Sequence, residues 1–78
     1  MSWLEVAEAG KMRGWFPEKV EKNRVVLERG RQRVVAQRLK DEEMWKVEYF
    51  SGDIMDDTTG AETEYFAKRL AIEMLFFK

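Results

Sequence analysis

No cysteine and no histidine occur among the 78 residues. That excludes a disulfide framework and a Cys/His metal site. It also removes the base from any Ser-His or Cys-His nucleophilic centre. The five glycines, Gly10, Gly14, Gly30, Gly52 and Gly60, stand singly, so no glycine-rich loop is available to cradle phosphate. The longest apolar run is Met74-Leu75-Phe76-Phe77, far short of the ~20 residues that span a bilayer. A basic-then-apolar leader with a small-residue cleavage site is also missing. The expectation is a cytoplasmic protein without a membrane partner. A chain of this length makes one domain, residues 1–78, with little volume for a catalytic cleft. We therefore expect a non-enzymatic protein that needs neither a cofactor nor a metal.

Charge is plentiful but separated. The formal net charge is −1, yet residues 19–40 carry eight basic side chains against two acidic ones, and residues 41–64 carry nine acidic against one basic. Local fields of this kind steer partners more than the net charge does. The basic block can meet phosphate; the acidic block can meet a basic protein, or neutralise the basic block within the fold or in a twin subunit. The single asparagine, the missing cysteines and the wealth of Glu, Lys and Arg resemble the composition of heat-stable proteins.

Periodicity supplies the elements. Ser2-Trp3-Leu4-Glu5 fits a capping box, and Trp3, Val6, Ala7 and Gly10 recur at helical spacing, with Gly14 as the stop. Gly10 inside a helix costs about 1 kcal/mol relative to Ala, which points to close packing there. Pro17 makes Phe16 extended and can start one turn of helix. Three strands follow: Arg24–Arg29, Arg31–Lys40 and Met44–Phe50. Residues 51–60 read as an acidic loop. Thr59-Gly60-Ala61-Glu62 is a second capping box, opening a helix from Ala61 to Phe77 with Glu64–Lys68 and Arg69–Glu73 as i, i+4 ion pairs. The expected architecture is α+β: an N-terminal helix, a three-stranded antiparallel meander, and a C-terminal helix on one sheet face.

Turn chemistry fixes a register. With Gly30-Arg31 as a two-residue turn, Leu27 faces Val34 and Val25 faces Ala36. With Asp41-Glu42 as the next turn, Val34 faces Tyr49, Ala36 faces Val47 and Arg38 faces Trp45. One sheet face is then Val25, Leu27, Val34, Ala36, Trp45, Val47 and Tyr49, almost wholly apolar. A slip of one residue would scramble it. The other face mixes Val26, Val35, Leu39, Met44 and Phe50 with charge.

The helix–three strands–helix order, with the alanine-spaced tail Gly60–Ala71, resembles the double-stranded-RNA-binding domain family. That resemblance implies lysines at the start of the last helix to grip phosphate. Glu62 and Glu64 stand there instead, so the family's RNA contact does not carry over.

The best functional lead is the hairpin that bears Arg24, Arg29, Arg31, Arg33, Arg38 and Lys40. Arginines on a β-ribbon can contact DNA or RNA phosphate bidentately; the bland alternative is a solvated hairpin paired with nearby carboxylates. A rival reading is a protein-interaction module or small regulator docking through Asp53, Asp56 and Asp57 and an aromatic surface. Those three aspartates lack the spacing of a calcium loop. A domain this small gains only about 3–5 kcal/mol from one core, so a homodimer is expected. Tyr65, Ile72 and Phe76, on the far side of the last helix, form its interface with the second sheet face. The alternative is a monomer whose first helix and Trp15-Phe16 cover that face.

Overall fold

In the computed structural model, which describes residues 1–78, Ser2 caps the first helix. The Glu5 amide donates to Ser2 Oγ at 3.2 Å, and the hydroxyl donates to the Glu5 carboxylate at 3.4 Å. The helix α1 (Trp3–Lys11) then buries Trp3, Val6, Ala7 and Gly10, as its spacing requires. Five strands follow: β1 (Phe16–Val20), β2 (Arg24–Arg29), β3 (Gln32–Arg38), β4 (Trp45–Ser51) and β5 (Ile54–Ala61). They form one antiparallel meander in the order β1-β2-β3-β4-β5, and α2 (Glu64–Phe77) closes the chain. No helix is long and apolar enough to cross a membrane.

The central register is the expected one, although the second turn is not Asp41-Glu42: β3 and β4 are joined by residues 39–44, in which the Glu42 amide donates to the Leu39 carbonyl at 3.2 Å and Asp41 holds φ +62°. Leu27 pairs with Val34 and Val25 with Ala36; Val34 pairs with Tyr49, Ala36 with Val47 and Arg38 with Trp45. Gly30 holds φ +59° at the first central position of its turn, a conformation that glycine adopts without strain. All seven residues of the expected apolar face are buried in one cluster with Trp3, Val6, Ala7 and Trp15 from the N-terminal segment and Ala67, Ala71, Met74 and Leu75 from α2.

The sheet has two strands more than the sequence suggests. Residues 51–60 are not a loop. Gly52 at φ +64° makes a second tight turn, Ser51 pairs with Ile54, and β5 runs back along β4 to the Trp45–Ala61 pair. Asp56, Asp57 and Gly60 are poor strand formers, although Ile54, Thr58 and Thr59 are good ones; pairing with β4 overrides the former. The Pro17 turn of helix is not formed either. Residues 16–20 are edge strand β1, where a proline costs no ladder bond, with a bulge between Pro17 and Lys19. The α-β-β-β-α order behind the double-stranded-RNA-binding resemblance is thus replaced by α-β-β-β-β-β-α. In α2 the cap is Thr63, whose Oγ1 accepts from the Phe66 amide at 3.2 Å, and Thr59 lies in β5 opposite Val47.

Both helices pack on the same face of the sheet. The first helix does not shield the second face. A Cβ on Gly10 would stand 3.2 Å from both Leu75 Cδ1 and Trp15 Cβ, so the glycine lets α1 meet α2 closely. Trp15 Nε1 donates to the Leu75 carbonyl at 2.9 Å, which locks the same junction. On the open sheet face Val26 and Val35 are nonetheless buried. Their row runs Lys19-Val26-Val35-Glu48-Thr58 across five strands, with Glu28 and Arg33 beside it and Arg24 and Gln37 on the other side. With no helix on this face, the stems of these long side chains cover the two valines.

Candidate nucleic-acid interface

Strand alternation divides the basic hairpin. Arg24 and Arg33 point to the open face; Arg29 and Arg38 point to the helical face; Arg31 sits in the turn and Lys40 in the loop after β3. The six residues therefore do not form one patch. Arg29, Arg31 and Arg33 gather at the β2–β3 tip, and Arg24, Arg38 and Lys40 at the other end. Five residues of strand, roughly 17 Å, separate Arg33 from Arg38.

Their engagement differs as much as their position. Arg29 is structural: Nε donates to Gln32 Oε1 at 2.9 Å, Nη1 to the Arg13 carbonyl at 3.1 Å, and the guanidinium lies 4.5 Å from the Trp15 ring centroid. Arg38 Nε donates to the Glu42 carbonyl at 3.0 Å, beside a hollow of about 240 Å³ shared with Glu43, Trp45, Thr63 and Glu64. By contrast, Arg24, Arg31, Arg33 and Lys40 make no side-chain hydrogen bond and no ion pair. Arg33 stacks 5.0 Å from the Phe50 centroid although Glu28 is its cross-strand partner. Arg31 rests against the neighbouring turn, its Nη2 3.2 Å from where a Gly52 Cβ would stand, and the Gly52 amide donates to the Arg31 carbonyl at 2.8 Å. Glu28 and Asp53 share this tip, around a hollow of about 220 Å³.

The acidic block forms no ion pair with the basic one. The ion pairs are Lys11–Glu8, Lys19–Glu21, Lys46–Glu48, Lys68–Glu64 and Lys78–Asp57; none joins residues 19–40 to residues 41–64. The i, i+4 pair Lys68–Glu64 forms at 3.0 Å, whereas Arg69–Glu73 does not form. Asp57 is held by Lys78 at 3.7 Å, and Asp53, Asp56 and Asp57 are not brought together in a group able to hold a metal.

Two lysines escaped the hairpin-centred reading. Lys19 on β1 and Lys46 on β4 share the open face with Arg24 and Arg33. Lys46 was within reach of the alternation rule; Lys19 was not, because its strand was unrecognised. Phe16, 69% exposed, and Met55 lie in the cross-strand row of Arg33 and Phe50. The open face thus combines Arg24, Arg33, Lys19 and Lys46 with two phenylalanines and with Glu28 and Glu48, and its two lysines are paired with Glu21 and Glu48. Of the expected oligomer residues, Tyr65 and Phe76 are exposed, but Ile72 is half-buried against the core. No protein-family model, curated protein or solved structure matches the chain.

Proposed function

We propose that the chain is a non-enzymatic nucleic-acid-binding protein that takes a single strand across its open sheet face, from the Arg31/Arg33 tip to Arg24. The observation that carries this reading is the lack of any ion pair between the basic and acidic blocks. Arg24, Arg31 and Arg33 are exposed and make no side-chain hydrogen bond or ion pair, with Arg33 lying over the Phe50 ring. Arg24 and Arg33 lie about 14 Å apart along the strands, with Phe16 and Phe50 beside Arg33. Unpaired arginines for the backbone and rings for the bases, the exposed Phe16 and the half-buried Phe50, are the two components that sequence-tolerant single-strand binding requires. The acidic β5 edge lies to one side, which sets the direction of approach.

Fluorescence anisotropy with labelled single-stranded DNA, single-stranded RNA and duplexes tests this in low salt. Single strands should bind best, with an affinity that falls as salt rises; three phosphate contacts give a log–log slope of about −2. Reversal of charge at Arg31 and Arg33 together should weaken binding roughly tenfold or more. Absence of binding to every nucleic acid in low salt would refute the proposal.

A second reading is favoured by Ile54 and Met55, which are exposed beside Asp53 and Asp56 at the β5 edge. An apolar, acidic strand edge suits a basic peptide that pairs by strand addition. Such docking would survive the arginine reversals and fail on truncation of Ile54 and Met55.

A further inference from the structure

The face of α2 turned away from the sheet carries Tyr65, Phe66, Arg69, Glu73, Phe76 and Phe77, all exposed. At 3.6 residues per turn these six lie within about 60° of one outward direction. Their order is symmetric about position 71: an aromatic pair, a cation, an anion, an aromatic pair. We infer that this face is the interface of a two-fold homodimer in which α2 packs antiparallel on α2 of a second copy.

In that arrangement residue 65 comes level with 77 of the other copy, 66 with 76, and 69 with 73. Each Arg69 then meets the Glu73 of the other copy, twice over. The aromatic pair Tyr65-Phe66 lies against Phe76-Phe77 at both ends. This is the self-complementarity that an isologous contact demands.

Within one chain these groups make cation–π contacts: Arg69 lies 5.9 Å from the Tyr65 centroid and Arg13 4.6 Å from that of Phe76. Arg69 and Glu73 are four residues apart on one helix, yet neither forms an ion pair. Phe77 is 83% exposed, Tyr65 55%, Phe66 52% and Phe76 36%. At about 200 Å² per ring, the four expose on the order of 450 Å² per copy, or about 900 Å² in a pair. Half-buried Leu70 and Ile72 and the stems of Arg69 and Glu73 add to this, towards the roughly 1,200 Å² at which stable interfaces begin. Arg69 and Glu73 balance each other on this face, which suits a second copy. Antiparallel helices also align their dipoles favourably. This surface is separate from the open sheet face, so nucleic-acid binding and dimerisation stand or fall independently.

Sedimentation velocity on the full chain, from low micromolar to near-millimolar concentration, tests the inference. The mass should rise with concentration towards double the 9.3 kDa of one chain. Arg69→Glu or Glu73→Arg alone places like charges together twice and should raise the dissociation constant roughly tenfold or more. The two single variants mixed in equal amounts should form a heterodimer, and the double exchange should restore the homodimer. Phe77→Ala, which leaves charge unchanged, should also weaken association. A chain that stays monomeric at the highest concentration, or a dimer indifferent to the single charge changes, would overturn the inference.

Discussion

Two buried indoles occupy different electrostatic situations. Trp15 Nε1 donates to the carbonyl of Leu75, which lies in the last turn of α2, where carbonyls lack an i+4 amide. Trp3 Nε1 is buried with no partner, and its ring stacks at 5.2 Å from Trp45. Replacement by Phe removes similar volume at both sites, but only Trp15→Phe strands a buried carbonyl. We predict a loss of about 2–4 kcal/mol for Trp15→Phe and about 1–2 kcal/mol for Trp3→Phe. Urea unfolding midpoints measure both, and equal losses would contradict the assignment. Among the arginines the same distinction separates held from unpaired side chains. Arg29 is held by Gln32, Arg13 and Trp15, so Arg29→Ala should cost stability, whereas Arg31→Ala should leave the unfolding midpoint unchanged.

At the scale of elements, helix caps and strand register separate what was legible from what was not. The α1 cap and the pairing of β2, β3 and β4 follow from local rules: a Ser-x-x-Glu start, Gly30 at a two-residue turn, and an alternation that buries one face. Gly10 was legible too, as a helical glycine in need of a neighbour, and Leu75 and Trp15 are that neighbour. The edge strands were not legible. Residues 54–61, with Asp56, Asp57 and Gly60 set against a strand, become β5 because β4 offers a ladder, and β1 tolerates Pro17 because it pairs on one side only. The α2 start moved for the same reason: β5 claims Thr59, and Thr63 becomes the cap. Thr63→Ala should therefore cost about 1 kcal/mol of stability with a loss of helix signal. Thr59→Ala should leave helix content intact, as circular dichroism during urea titration will report.

Over the whole molecule, folding brings carboxylates near the arginines without pairing them: Glu28 and Asp53 line the hollow at the Arg31/Arg33 tip, and Glu43 and Glu64 the one beside Arg38. Four of the five ion pairs join residues two to four positions apart, and only Lys78–Asp57 ties distant segments. Added salt should therefore change the unfolding free energy by less than about 1 kcal/mol, since exposed pairs contribute little, and should strongly weaken the proposed polyanion binding. The candidate site was half legible. Its arginines were visible in the sequence, but their division between two ends and two faces depends on register, and Lys19 and Phe16 join them only through β1. The most direct test is an amide ¹H–¹⁵N titration with a single-stranded oligonucleotide of roughly ten nucleotides. Shifts concentrated at Phe16, Arg24, Arg31, Arg33 and Phe50 are the predicted result. A spectrum that does not change in low salt, or changes confined to β5 and α2, would contradict it.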